Sequence, residues 1–170
     1  ASEADPRDGS TQALALRYAA DPDQARRVEQ TALMLFEQVA ATWGLGEEER
    51  RMTAWAARIH EIGLAIAHSQ YHAHGAYIVE HSDIAGFSRQ EQQVLAALVR
   101  CQRRAVPTQV LDALADRFRL PTLRCVVLLR LAVLLHRSHD QGDLPPVRRD
   151  NVLHDVQFPL GQLVTREQIE

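Results

Sequence analysis

Apolar residues return every three or four positions in one stretch of this chain after another, a period that an α-helix turns into a single buried face. Between Asp21-Pro22 and the break at "WGLG" (43 to 46), Val28, Ala32, Leu35, Phe36 and Val39 keep this spacing. Before it, residues 1–9 read as a disordered linker, and Ser10 is expected to cap a short helix through Tyr18. After it, Glu47, Glu48 and Glu49 place acids where a helix N-terminus favours them, and the helix they open is expected to reach about Ala67. A helix is predicted over residues 73–81, then the link "SDIAGFS" with Ser88 as a cap, then Val94, Leu95, Leu98 and Val99 at helical spacing within residues 89–102. Pro107 suits the first turn of a helix reaching Phe118, and Pro121 is expected to start the most apolar one, "TLRCVVLLRLAVLLH". The fold class is therefore mainly α, a bundle of about seven helices over residues 10–140. Beyond "DQGDLPP", the run "VRRDNVLHDVQFPL" turns toward short strands, so residues 141–170 are expected to begin a small β-rich tail.

Composition narrows the classes. At 170 residues and 46% hydrophobic, the chain can bury one main core. A net charge of -3 creates no whole-molecule field for nucleic acid or an anionic membrane, so any polyanion site must be a local patch. No apolar run of about 18 residues occurs, and the polar start "ASEADPRDGS" is unlike a signal peptide; we expect a cytoplasmic protein without a transmembrane segment. Cys101 and Cys125 stand alone and read as buried thiols. All nineteen basic residues are arginine, which offers a planar fork to phosphate. The chain starts at Ala1 and stops at Glu170 in mid-element, so a piece of something larger is expected.

The densest chemistry lies in "IHEIGLAIAHSQYHAH", where His60, His68, His72 and His74 accompany Glu61. A zinc motif of the HExxH type needs its second histidine one turn after the first, and Leu64 occupies that place. His68 and His72 are four apart, but Ser69 and Gln70 interrupt the helical signal between them.

The helix "AARIHEIGL", with its His-acid pair followed by glycine, resembles the dyad helix of the HD phosphohydrolase superfamily. That resemblance implies an all-helical fold and divalent ions held by an upstream histidine, the His-Asp dyad, further histidines and a late aspartate. Here the upstream position falls on Gln24, the dyad on His60 and Glu61, the next histidine on His72 or His74, a later ligand on Gln102, and the aspartate on Val133. Glutamine and valine do not hold hard cations, so the resemblance implies ancestry without a working metal centre and no catalytic residue in this chain.

Together, "DPDQARRV", "IHEIGLAIAHSQYHAHGAYIVEHSDIAGFSRQEQQ" and "LLRLAVLL" resemble the C-terminal half of the exopolyphosphatase and guanosine-pentaphosphate phosphohydrolase (Ppx/GppA) family, from about Arg7 to about Phe158. The resemblance implies an HD-like helical domain, a small β-containing domain after it, and catalysis in N-terminal actin-like domains with a divalent cation, commonly magnesium. No cofactor is implied for this part. The implied partners are inorganic polyphosphate, those catalytic domains and a second copy in a homodimer. "HSQYHAH" favours the exopolyphosphatase branch, with guanosine pentaphosphate or a residual HD phosphohydrolase as alternatives. Candidate phosphate contacts are Arg100, Arg103 and Arg104, then Arg26 and Arg27, and lastly Arg148 and Arg149; arginines near a helix C-terminus also complement its dipole and need no ligand for that.

Overall fold

A computed structural model describes residues 4–137, which form seven α-helices and one 3₁₀ turn without a strand among them. The helices are α1 (Pro6–Arg17), α2 (Pro22–Trp43), α3 (Glu47–Ile59), α4 (Tyr71–His81), α5 (Arg89–Arg100), α6 (Thr108–Asp112) and α7 (Asp116–Leu135). The mainly helical reading and its seven helices hold. No helix among the described residues is long and apolar enough to cross a membrane. The β-rich tail expected for residues 141–170, with Arg148 and Arg149, lies outside the described residues.

Local chemistry sets most boundaries. Asp21 caps α2, its carboxylate accepting from the Asp23 and Gln24 amides at 3.0 and 3.3 Å. The far end closes on Gly44 at φ 64°, a left-handed turn that glycine enters without a Cβ penalty. Ser88 and Glu91 form the reciprocal capping box of α5, each side chain meeting the other's amide at 3.1 Å.

Three boundaries differ from the reading of the sequence. The first helix begins at Pro6, ahead of Ser10, because Asp5 caps it by accepting from the Arg7 amide at 3.0 Å. Ser10 then lies inside α1 and donates to the Pro6 and Ala85 carbonyls. The helix expected to reach Phe118 closes at Asp112, and α7 starts at Asp116, so Pro121 is carried within α7. Proline's fixed φ is helical, and what it removes is one amide donor. Separately, Arg119 ties the start of α7 to the turn before it by donating to the Leu114 and Asp112 carbonyls at 3.0 and 2.8 Å. The third difference, an early end to α3, belongs to the site.

The core runs between α2, α3, α5 and α7, where Val28, Ala32, Trp55, Ile59, Leu95, Leu98, Leu128 and Leu129 are buried. α7 packs on α2, α3 and α5, which makes the most apolar helix the central one. α1 is fastened to this body by Arg7. Its guanidinium meets Asp5, Glu48 and Glu91 and lies 4.6 Å over the Trp55 ring, itself edge-on to Phe87. Trp55 Nε1 donates to Asp8 at 2.7 Å, so α1, α3 and α5 share one polar knot.

Candidate functional site

α3 stops at Ile59, well short of Ala67, and the chain continues as a 3₁₀ turn over Ile62–Ala65. The reason is close packing at Gly63. A Cβ there would lie 1.8 Å from the Tyr71 carbonyl oxygen and 2.6 Å from the Gly75 amide nitrogen, so backbone occupies the space a side chain would need. A continuing helix could not pass under α4 this closely. The change of direction turns His60 and Glu61 inward at the end of α3, 1% and 6% exposed, while Leu64 stays partly exposed on the wall of the same cavity. Gln70 takes a left-handed conformation, φ 60°, and starts α4 at Tyr71.

Around this corner the structure gathers Gln24, His60, Glu61, His68, Tyr71, Gln102, Arg103, Arg104, Arg130, Val133 and Arg137 on one cavity of about 360 Å³. The five positions that the HD resemblance marks as dyad or lost ligands, Gln24, His60, Glu61, Gln102 and Val133, are all among its walls. Two of them now join helices directly. Gln24 Nε2 donates to the His136 carbonyl at 2.7 Å, closing the end of α7 onto α2, and its Oε1 accepts from Arg27 at 2.9 Å. Gln102 Nε2 donates to the His60 and Val99 carbonyls at 2.6 and 3.1 Å, joining the ends of α3 and α5. The His60 ring is turned back on the Ala57 carbonyl through Nδ1.

A hard divalent ion does not fit these groups. Both amide nitrogens are committed to helix-to-helix bonds, the Gln24 oxygen accepts from Arg27, Val133 has no donor atom, and Glu61 is the one carboxylate among the described walls. Among the described residues no group of three or more His, Cys, Asp or Glu side chains converges on one point.

Among the described residues the charge of the cavity is instead positive: Arg103, Arg104, Arg130 and Arg137 line it against the one carboxylate of Glu61. Arg103 lies 4.6 Å over the Tyr71 ring, and burial raises the tyrosine's pKa while that guanidinium lowers it in part. Arg130 donates to the Cys101 carbonyl at 2.6 Å and the Arg104 carbonyl at 2.7 Å, holding the turn after α5 in place. Within that turn Arg104 adopts φ 63°. Burial pushes the pKa of Arg130 down from its ordinary value.

The other expected residues lie elsewhere. His72 is buried without lining the cavity, and its Nδ1 has no hydrogen-bond partner. Burial, then Arg100, Arg103, Arg104 and Arg130, hold its pKa down to about 4. His74 is half-buried and lines no part of the cavity. Arg100 is parted from Arg103 and Arg104 and faces a second cleft beside Tyr77 and Leu114. Arg26 is exposed and paired with Asp23 at 3.0 Å, and Arg27 stands behind Gln24. Reading the sequence missed Tyr71, Arg130 and Arg137 as cavity residues. The signal for Arg130 was present, because an arginine inside an apolar helix must find acceptors. Cys101 and Cys125 are buried as expected, with thiols pushed up to about 11 and about 12 by burial.

A family model described as Ppx/GppA phosphatase, domain III, matches residues 7–156. The chain is 32% identical over 144 residues to a guanosine-5'-triphosphate,3'-diphosphate pyrophosphatase of Aeromonas hydrophila, covering 84% of this chain and 29% of that protein. Proteins of the same name from Aeromonas salmonicida and Pseudoalteromonas translucida are 31% and 33% identical, again with 84% of this chain and 29% of theirs covered. The chain thus spans less than a third of the length of these relatives.

Proposed function

The chain belongs to the Ppx/GppA phosphatase family, matching its domain III, and on that premise we propose that it is the non-catalytic, anion-binding part of a cytoplasmic phosphoanhydride hydrolase. The cavity carries this reading. At the positions where a metal-dependent relative would keep its ligands, uncharged amides and a valine stand, and arginines supply the positive charge. Arg103, Arg104 and Arg137 are the groups assigned to phosphate oxygens, since guanidinium forks make charge-assisted hydrogen bonds to them. His60 and Glu61 are the retained dyad of a retired HD site, and His68 stands at its mouth. Hydrolysis and the magnesium it uses are assigned to catalytic domains outside this chain, and the homodimer expected from the resemblance remains part of the proposal.

The phosphoanhydride chain is common to polyphosphate and guanosine pentaphosphate. The names of the relatives support the second, whereas "HSQYHAH" favoured the first. That sequence argument is weakened by geometry, because of the histidines in this run only His68 lines the cavity. A residual HD phosphohydrolase finds no support in the donor set.

The test is retention of long-chain polyphosphate by the 170-residue chain across a salt series. Binding should weaken steeply with salt, as counterion release requires. Joint Arg103→Ala and Arg104→Ala substitution should weaken it at least about tenfold and flatten the salt dependence by roughly one to two in log–log slope. Absence of retention at low salt, or an unchanged double variant, would overturn the assignment.

A further inference from the structure

We propose that the second cleft, between α4, α5 and α6, docks an α-helix of a partner protein that carries an acidic and a basic side chain two turns apart. This cleft, of about 420 Å³, shares no described wall with the arginine cavity. Two helices offer it matching faces. α4 presents Ala73, Ala76, Tyr77 and Glu80, and α5 presents Gln93, Ala96, Ala97 and Arg100. Both sets follow the i, i+3, i+4, i+7 spacing of one helix face over two turns. The four alanines leave room for a third backbone to approach at the short end of the usual interaxial range of about 8–10 Å. Val110 on α6, with Ala113 and Leu114 just after it, completes the apolar lining. Two helix faces side by side make a groove in which a further helix packs.

Charge gives the occupant its chemistry. α4 and α5 run antiparallel: a Cβ on Gly75 would meet Val99 Cγ1 at 3.0 Å, and Gln92 Nε2 donates to the Val79 carbonyl at 2.7 Å. In this register Arg100 lies beside the first turn of α4 and Glu80 beside the beginning of α5, about 10 Å apart along the axes. Elsewhere on the surface arginines sit on carboxylates, as Arg50 does on Glu37 at 2.8 Å and Arg58 on Glu29 at 3.0 Å. Glu80 and Arg100 have no ion pair or side-chain hydrogen bond among the described residues, and neither have Gln93 and Gln109 on the same cleft. A cation at one end and an anion at the other select a helix whose acid meets Arg100 and whose base, seven positions away on the same face, meets Glu80. Tyr77, on the same face of α4 as Glu80, is 62% exposed with its ring against His81, an aromatic anchor of the kind that carries interface energy.

The experiment is fluorescence anisotropy of a labelled, stapled helical peptide titrated with the 170-residue chain. The peptide has about fifteen residues, a leucine and alanine face, and one Glu and one Arg seven positions apart on it. Replacing the peptide's Arg by Glu should weaken binding roughly fivefold, and Glu80→Lys in the protein should reverse that ranking, a swap that a loss of folding does not produce. Ala113→Trp, at an exposed position on the wall, should abolish binding of both peptides and leave the melting temperature unchanged. No binding of either peptide, or the same ranking in Glu80→Lys, would overturn the proposal. So would self-association of the chain that Ala113→Trp abolishes, because a second copy would then fill the cleft.

Discussion

Single side chains in this protein do work that their type alone does not announce. His72 shows it through pH. Its ordinary pKa of 6.5 is lowered to about 4, first by burial and then by Arg100, Arg103 and Arg104 beyond or at the end of α5 and Arg130 on α7. The unfolded chain therefore takes up a proton that the folded chain excludes, and stability falls as pH drops from about 6.5 to about 4, levelling below that. His136, lowered by burial and by Arg27, acts with the same sign. Urea unfolding midpoints measured across that window should decline toward acid, and His72→Phe should reduce the slope while leaving part of it to His136. A slope unchanged in the variant would remove His72 as its source. The arginines divide in a similar way: Arg26 and Arg27 are engaged by Asp23 and Gln24, whereas Arg103 and Arg104 reach the cavity.

At the scale of elements, the corner between α3 and α4 decides whether there is a cavity at all. It depends on Gly63, beneath the backbone of Tyr71 and Gly75. Gly63→Ala must separate α4 from the 3₁₀ turn, since the atoms it meets are backbone and cannot rotate away; a loss on the order of 3–5 kcal/mol is expected. Gly9, within α1, has nothing within 4 Å of a Cβ and helical neighbours on both sides. Gly9→Ala should therefore stabilise by about 0.4–1 kcal/mol through the unfolded chain. Thermal melts of the two variants with opposite signs would support this account; similar small shifts would mean that Gly63 is not under constraint. The sequence marked Gly63 only as part of a dyad motif, because the carbonyl it approaches comes from another element.

For the whole molecule, the question is what joins the helices where a metal would have joined them. Gln24 joins α2 to the end of α7, Gln102 joins α5 to α3, and Arg130 joins α7 to the turn after α5. None of these bonds needs a cation. Melting temperatures in EDTA and in excess magnesium or manganese should agree within about 1 °C, whereas a site saturated a hundredfold above its dissociation constant would raise the melt by roughly 6–10 °C. A metal-dependent rise of that size would reinstate the HD centre. The sequence by itself determined the helical class, most caps and breaks, and the family, because periodicity, capping and motif order are local or linear properties of the chain. It also brought Gln24, His60, Glu61, Gln102 and Val133 under suspicion as a set. Only the tertiary structure decided what they do. Arg100 and Arg103 are near neighbours in the chain, yet α5 ends between them and they face different clefts. Tyr71, Arg130 and Arg137 reach the same cavity from distant segments, since a side chain's direction at a helix end is set by what the helix packs against and not by its neighbours in sequence.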